Sequence, residues 1–223
     1  MGTTSNRLDA LRAHLYNSQV PCSVFISYHE GDKLEVENFI KTFGPEGDNV
    51  FIPKVVGLLG QGDFVNSSDP EYIMRQIRSK YLSDSTVTIV LIGSCTHSRR
   101  YVDWELKASL RQENNSLPNG VLGIFLPSVK GLAHLPQRLT DNWKSEDINC
   151  YARVRTYPKT VEDLRGYIED ASKARTSRAH LIANSQEMMK HNAKCKVHDK
   201  TCNSSDDTIR VNPALDDWLK KKS

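Results

Sequence analysis

The stretch YVDWELKASL, residues 101–110, places an acidic side chain where an amphipathic helix normally faces the protein core. At about 100° per residue, Val102, Leu106 and Leu110 share one face of this helix, and Glu105 lies on the border of that face. A carboxylate there can be partly desolvated and still reach a neighbouring crevice, which is where catalytic acids are found. The alternative is a surface acid that pairs with a nearby arginine or lysine.

Four potential metal ligands lie close together near the C-terminus, namely His191, Cys195, His198 and Cys202. Two cysteines and two histidines form a ligand set that zinc uses. On a helix, their spacing would put all four side chains on one face. A single rod does not readily surround an ion tetrahedrally, and the known zinc arrangements pair ligands from two segments. We therefore predict that the protein has no metal site.

The composition is that of an ordinary soluble protein. The chain has 223 residues, of which 26% are charged and 38% are hydrophobic, and this length suits one domain or two small ones. The net charge of +3 is small, and acidic and basic residues are intermixed along the chain. Because nucleic-acid binding needs basic residues massed on one face, we expect no nucleic-acid partner.

The cysteines and the N-terminus predict a cytoplasmic location. The cysteine count of 5 is odd, and Cys22, Cys95 and Cys150 are far apart in the chain. Both features favour a reducing compartment. The first 15 residues contain no apolar signal core, and the longest apolar run is too short to cross a bilayer. We expect a soluble protein that does not associate with a membrane.

Strand and helix signals alternate along the chain. Apolar, β-branched runs predict five strands, at Cys22–Tyr28, Val50–Val56, Thr86–Gly93, Val121–Pro127 and Tyr151–Tyr157. Pro53 lacks a backbone N–H, so it assigns the second strand to an edge of the sheet. Helices are predicted at 33–43, from Pro70 onward with Ser68 or Asp69 as the cap, around 101–110 with Ser98 as the cap, and from Thr160 towards Ile182.

This alternation predicts an α/β fold with a five-stranded, mostly parallel sheet and helices on both faces, in a flavodoxin-like arrangement. Ligands of such folds bind beyond the carboxyl ends of the first and third strands, which here carry residues 27–29 and 93–94.

We divide the chain into an N-terminal extension at 1–19 with a short helix, a domain at 20–183 and a C-terminal tail at 184–223. Leu215, Trp218 and Leu219 would dock a final short helix on the domain.

Several motifs resemble the TIR domain family. FISY at residues 25–28, followed by Asp32, is similar to the opening of a TIR domain, and YVDWEL at 101–106 is similar to a signature of Trp, Cys, two variable residues, Glu and Leu. Tyr101 and Val102 replace the first two residues of that signature. The longer run DPEYIMRQIRSKYLSDSTVTIVLIGSCTHSRRYVDWEL, residues 69–106, resembles the TIR-like ThsB sensors of Thoeris anti-phage defence.

The resemblance implies an enzyme that cleaves the nicotinamide–ribose bond of NAD, with NAD as substrate, no separate cofactor and Glu105 as the catalytic residue. An anion near the ribose stabilises the positive charge that develops as this bond breaks. Water as acceptor gives ADP-ribose, and an atom of the same molecule gives a cyclic ADP-ribose isomer. The resemblance further implies a phage-derived trigger protein, self-assembly on activation and an effector that responds to the cyclic nucleotide.

The pocket predicted from the resemblance is formed by Phe25, Ser27, Tyr28 and His29, with His29 largely neutral. In the glycine-rich loop at 57–68, Asp63 and Phe64 would close over the substrate. If Glu105 is structural, the catalytic acid is sought among Glu30, Asp32 and Asp63. Trp104 is expected to project outward and serve assembly, and Asp103 is expected to be an exposed acid.

Two other functions compete with NAD cleavage, and a third is set aside on the sequence. A TIR-like interaction module would assemble with other proteins and would not need Glu105. A flavodoxin-like receiver domain needs acids at the ends of both the first and third strands, and Gly93 and Ser94 supply none. A nucleoside deoxyribosyltransferase uses a similar fold and a similar glutamate, and it remains an alternative.

Overall fold

Five parallel strands form one sheet in a computed structural model that describes residues 21–55, 69–112, 116–129 and 134–202. The strands are β1 (Cys22–Ser27), β2 (Phe51–Val55), β3 (Val87–Ile92), β4 (Gly120–Phe125) and β5 (Arg153–Arg155). Their order is β2-β1-β3-β4-β5, and all four pairings are parallel. The predicted flavodoxin-like α/β fold is therefore confirmed, with Pro53 on an edge strand as expected.

Five α-helices connect and cover these strands within the described residues. They are α1 (Lys33–Phe43), α2 (Pro70–Ile77), α3 (Arg100–Ser109), α4 (Gln137–Asp141) and α5 (Val161–Ser177). A π-helical turn, Arg78–Leu82, extends α2. Helix α4 was not predicted, because five residues are too few to show helical periodicity. Helix α5 was expected to continue to Ile182, and it ends five residues earlier.

Side chains cap two of the helices as expected, whereas no side chain caps α3. Asp69 accepts a hydrogen bond from the backbone N–H of Glu71, and Thr160 forms a reciprocal capping box with Asp163. The predicted cap at Ser98 is wrong. That residue ends a short 3-10 turn, Thr96–Ser98, and its hydroxyl donates to the carbonyl of Cys95. The chain turns sharply after β3 before α3 begins.

The helices pack on both faces of the sheet. One face of β1, β3 and β4 buries its apolar side chains against α1 and α5, through residues such as Phe39 and Leu164. The opposite face packs against α2, α3 and α4, through Ile77, Leu106 and Leu139. Because both faces are covered, the central strands are buried throughout, as their nearly continuous apolar sequences predict.

After α5 the chain runs without further α-helix across the outside of α3, as far as residue 202. The predicted N-terminal helix and the docking helix with Leu215, Trp218 and Leu219 lie outside the described residues. So do Val56 at the end of the second strand and the glycine-rich loop. No helix among the described residues is long and apolar enough to span a membrane.

We predict opposite effects for alanine at two glycines. A Cβ on Gly120 would overlap the backbone of Ala171, where α5 crosses the start of β4, whereas a Cβ on Gly166 meets nothing within 4 Å. Gly120→Ala should therefore destabilise the fold by about 1–3 kcal/mol. Gly166→Ala, inside α5, should stabilise it by about 0.5–1 kcal/mol. Urea unfolding of both variants measures this, and a Gly120→Ala protein as stable as wild type would contradict the close packing.

Candidate active site

The carboxyl ends of β1 and β3 lie side by side, with Ser27 in register with Val90. Strand β1 lies between β2 and β3 in the sheet, so the chain connections after β1 and after β3 run in opposite directions. This is the topological switch point of the sheet, where a crevice opens for ligands. The residues that follow β3 lead through the 3-10 turn into α3, so α3 brings its inner side chains to the same edge of the sheet.

Helix α3 packs against other elements on nearly every side, and the acid on its inner border is therefore buried. Val102 and Leu106 pack in the core against β3 and β4, and Trp104 and Ala108 pack with Phe25 and α2. The hydroxyl of Ser109, one turn after Glu105, lies 2.7 Å from that of Thr88 on β3. These contacts fix the helix against the sheet, and Glu105 is only 7% exposed.

The Glu105 carboxyl is unusual because it is buried without an ion-pair partner among the described residues. Burial raises its pKa to about 8, and the Ser27 hydroxyl, which lies close to the carboxyl without the geometry of a hydrogen bond to it, opposes part of that rise. The Ser27 oxygen is itself buried and reaches no hydrogen-bond geometry with any described residue. Burying a carboxyl and an unpaired hydroxyl side by side costs free energy that packing does not return. The two groups are suited to binding a polar ligand.

Two tyrosines lie close enough to Glu105 for its negative charge to raise their pKa values. Burial and then the negative charges of Glu30 and Glu105 raise the pKa of Tyr28, which directly follows β1. Burial and the charge of Glu105 also raise the pKa of Tyr81. Both phenols are therefore neutral at physiological pH and keep their O–H groups. Tyr28 was predicted to line the site, whereas Tyr81 was not among the predicted site residues.

His29 is almost buried, at 8% exposure, beside the end of β1. Burial and then the nearby positive charge of Arg99 lower its pKa to about 4. The imidazole is therefore neutral near pH 7, as the sequence analysis expected, and it can donate one hydrogen bond and accept another.

A half-buried acid, Asp32, reaches the same edge of the sheet. Its carboxylate lies over Gly93 at the end of β3, where a Cβ would overlap it, and the Thr96 hydroxyl donates to it at 3.4 Å. Burial and the charge of Glu35 raise its pKa to about 6. The sequence analysis named Asp32 only as a substitute for Glu105. The sequence signal that could have indicated a place for Asp32 at the site is Gly93, because a glycine leaves room for a side chain from another segment.

The remaining predicted pocket residues have different positions. Phe25 is fully buried and packs with Trp104 and Ile77, so it supports the helices behind the site. Asp63 and Phe64 lie outside the described residues. The structure thus places Ser27 and Tyr28 close to Glu105, whereas the side chain of His29 lies beside Arg99 and Gly31.

Two expectations for the outer side of α3 are wrong. Trp104 is 6% exposed, and its indole N–H donates to the carbonyl of Met189 at 2.8 Å. Asp103 is also buried and forms an ion pair with the fully buried Arg138, at 2.9 Å. The chain after α5 covers both side chains, so in the described structure Trp104 is not presented to a second copy of the protein.

Two cavities described in the structure lie away from this edge. One is lined by residues at the starts of β1 and β2, including Cys22 and Val50. The other is lined by residues that precede β3 and β4, including Ser85 and Asn119. Both are at the amino ends of the strands, opposite Glu105.

We predict that Glu105 makes the stability of the protein depend on pH. Its pKa of about 8 in the folded protein exceeds its ordinary value of 4.5, so its contribution to stability is lost as pH rises through this window. Glu105→Gln removes that loss. Urea unfolding at pH 5 and pH 8 should show the variant gaining on wild type by a few kcal/mol at the higher pH. A difference that stays constant between the two pH values would contradict a buried carboxyl.

Comparison with known proteins agrees with this geometry. No curated protein matches the chain. Residues 25–130, just under half of the chain, match the model of a family described as Thoeris protein ThsB, TIR-like domain. The matched segment begins within β1 and contains β3 and the whole of α3, including Glu105. The resemblance found in the sequence is therefore confirmed, and this part of the chain is similar to the TIR-like domain of Thoeris ThsB proteins.

Proposed function

We propose that the protein cleaves the nicotinamide–ribose bond of NAD and uses Glu105 as the catalytic residue. The observation that carries this proposal is the buried Glu105 carboxyl beside the unpaired Ser27 hydroxyl, at the switch point of the sheet. The similarity to a TIR-like domain supports the choice of substrate, because the resemblance implies NAD chemistry. Ser27, Tyr28 and His29 would hold the ribose and its neighbouring groups.

The chemistry requires an anion at the ribose. As the bond between C1′ and the nicotinamide nitrogen breaks, its electron pair leaves with neutral nicotinamide, and positive charge develops on the ribose ring. A Glu105 carboxylate that accepts hydrogen bonds from the ribose hydroxyls stabilises that charge in a site sheltered from water. No metal is needed for this step, since the nicotinamide of NAD is already a good cationic leaving group.

The raised pKa of Glu105 fits a resting enzyme with low activity. At neutral pH a carboxyl with a pKa of about 8 is mostly protonated and cannot stabilise a cation. The positive nicotinamide ring of bound NAD would favour the carboxylate, because an opposite charge nearby lowers the pKa of an acid. We propose that a phage-derived trigger protein and self-assembly complete the pocket, and that the isolated protein turns NAD over slowly.

The fate of the ribosyl cation sets the product. Attack by water gives ADP-ribose and releases a proton, whereas attack by an atom of the same molecule closes a ring. We propose that this protein makes a cyclic ADP-ribose isomer, which diffuses to a partner effector as a second messenger. Mass spectrometry of NAD incubations, with and without lysate from infected cells, distinguishes the two products.

The competing proposal is a TIR-like interaction module without chemistry. An interaction module has no need to bury a carboxyl that lacks an ion-pair partner, so the environment of Glu105 favours the enzyme. Variants of Glu105 distinguish the two proposals.

We predict that Glu105→Gln abolishes most NAD cleavage while the protein still folds. Glutamine keeps the shape of the side chain but cannot carry the negative charge, and losing one such electrostatic partner costs about 10²–10³ in rate. Nicotinamide release is measured in a triggered assay, together with a melting curve. The matched control is Glu146→Gln, at an exposed turn, which should keep wild-type activity. Turnover by Glu105→Gln within a few-fold of wild type would support the interaction module.

We predict that Ser27→Ala separates binding from folding. The buried Ser27 hydroxyl has no hydrogen bond within the described residues, so its removal should leave the melting temperature unchanged or slightly higher. If the hydroxyl contacts the ribose, NAD cleavage should fall by about tenfold or more. Ser109→Ala is the control, because its buried hydroxyl bonds to Thr88 and should cost about 1–3 kcal/mol of stability. A Ser27→Ala protein with normal activity would remove Ser27 from the site.

A further inference from the structure

Four sulfur and nitrogen atoms converge where the C-terminal segment meets the loop after β3. They belong to Cys95, Cys195, His198 and Cys202, and all lie within 4.8 Å of one another. Cys95 belongs to the domain, and the other three residues come from a segment about 100 residues further along the chain. Cys195 is fully buried and Cys95 is 7% exposed.

Four of the six distances among these atoms fit a tetrahedral zinc ion, whereas the sulfurs of Cys95 and Cys202 lie closer together, as a disulfide. With Zn–S near 2.3 Å and Zn–N near 2.0–2.1 Å, tetrahedral geometry puts two sulfurs about 3.8 Å apart and a sulfur about 3.6 Å from a nitrogen. The sulfurs of Cys95 and Cys195 are 3.6 Å apart. Nδ1 of His198 lies 3.2 Å from the sulfur of Cys95 and 3.5 Å from those of Cys195 and Cys202.

The structure removes the reason for which the sequence analysis rejected a metal. Residues 195–202 do not form a helix but a tight reversal, in which Cys195 and Lys200 make an antiparallel bridge. Asp199 adopts the left-handed backbone conformation that such a turn needs, with φ of 52°. The fourth ligand is Cys95 from the domain, whereas His191 is exposed and stands outside the cluster. The ligands therefore come from two segments, as zinc sites require.

Backbone contacts fix the reversal against the domain. The N–H of Lys196 donates to Nε2 of His97 at 3.0 Å, and the N–H of Ala193 donates to the carbonyl of Ser98 at 2.9 Å. The guanidinium of Arg99 donates to the carbonyl of Cys202 at 2.9 Å. Both segments are thus held in place by contacts other than those of the ligands.

We propose that the chain binds one structural Zn²⁺ through the sulfurs of Cys95, Cys195 and Cys202 and Nδ1 of His198. Once a thiol reductant has supplied two electrons and two protons to the Cys95–Cys202 pair, binding converts three thiols to thiolates and releases their protons. A site with three cysteines and one histidine is a recognised structural zinc set. In the structure Cys95 and Cys202 are joined as a disulfide. That bond uses two of the four groups and gives no role to Cys195 and His198, whereas a zinc ion uses all four.

The proposed zinc fastens the C-terminal segment over α3. Cys95 lies ten residues before Glu105, and the segment that the ion holds also supplies the carbonyl that Trp104 binds. All four protein ligands fill the coordination sphere, so the ion is closed to substrate. This role does not depend on NAD cleavage.

The test is metal analysis of the full chain, purified under reducing conditions without chelator. Wild type should contain about one zinc per chain by inductively coupled plasma mass spectrometry. Cys195→Ser and His198→Gln should lose most of it. Their matched controls are Cys22→Ser, at a cysteine outside the cluster, and His191→Gln, at the exposed histidine of the same segment. Both controls should keep one zinc per chain.

Two further readouts cover variants that fail to fold. After removal of reductant, denatured and chelated wild type should give 5 titratable thiols, whereas a disulfide between Cys95 and Cys202 leaves 3. Wild type stripped of zinc and titrated with Co²⁺ should show the visible bands of tetrahedral cobalt bound to thiolates. Zinc-free wild type, a persistent disulfide, absent cobalt bands or zinc loss in the controls would each overturn the proposal.

Discussion

The burial of α3 is the constraint on which the rest of the site depends. The sheet, α2 and the C-terminal segment surround this helix, so that even Asp103, Glu105 and Ser109 are removed from water. Burying a carboxyl costs free energy unless a partner compensates, and Glu105 has no ion-pair partner among the described residues. This unfavourable burial lies at the edge of the sheet where ligands of such folds bind. The same surroundings would exclude water from a ribosyl cation and strengthen its attraction to the carboxylate.

A second buried acid on the same helix shows how an acid is stabilised when its role is structural. The two oxygens of Asp103 accept from Arg138 at 2.9 Å and from the N–H of Met189 at 2.8 Å. Arg138 in turn donates to Asn184, Gln186 and Glu187. Every group in this network has a partner, and the network joins α3 and α4 to the C-terminal segment. The contrast with Glu105, two residues away, separates a structural acid from a candidate catalytic one.

The sequence predicted the parts of the structure that local patterns encode. Apolar runs located all five strands, Thr160 marked the start of α5, and the position of Glu105 on a stripe border indicated the site. What the sequence did not show depends on contacts between distant residues. Trp104 and Asp103 are buried by an irregular segment whose backbone forms hydrogen bonds with both side chains. Every residue has the same backbone groups, so residue types do not identify such partners. Cys95 joins its cluster across 100 residues, so spacing within the tail could not identify it.

The ionisation of Glu105 tests the central claim most directly, because it reports the burial of this carboxyl in the resting protein. The measurement is the pH titration of its side-chain carboxyl carbon by NMR, in protein labelled at glutamate, with the signal assigned by its absence in Glu105→Gln. The account predicts an inflection near pH 8, since burial raises the pKa to about that value. An inflection near the ordinary value of 4.5 would show a solvated surface acid and would contradict the account.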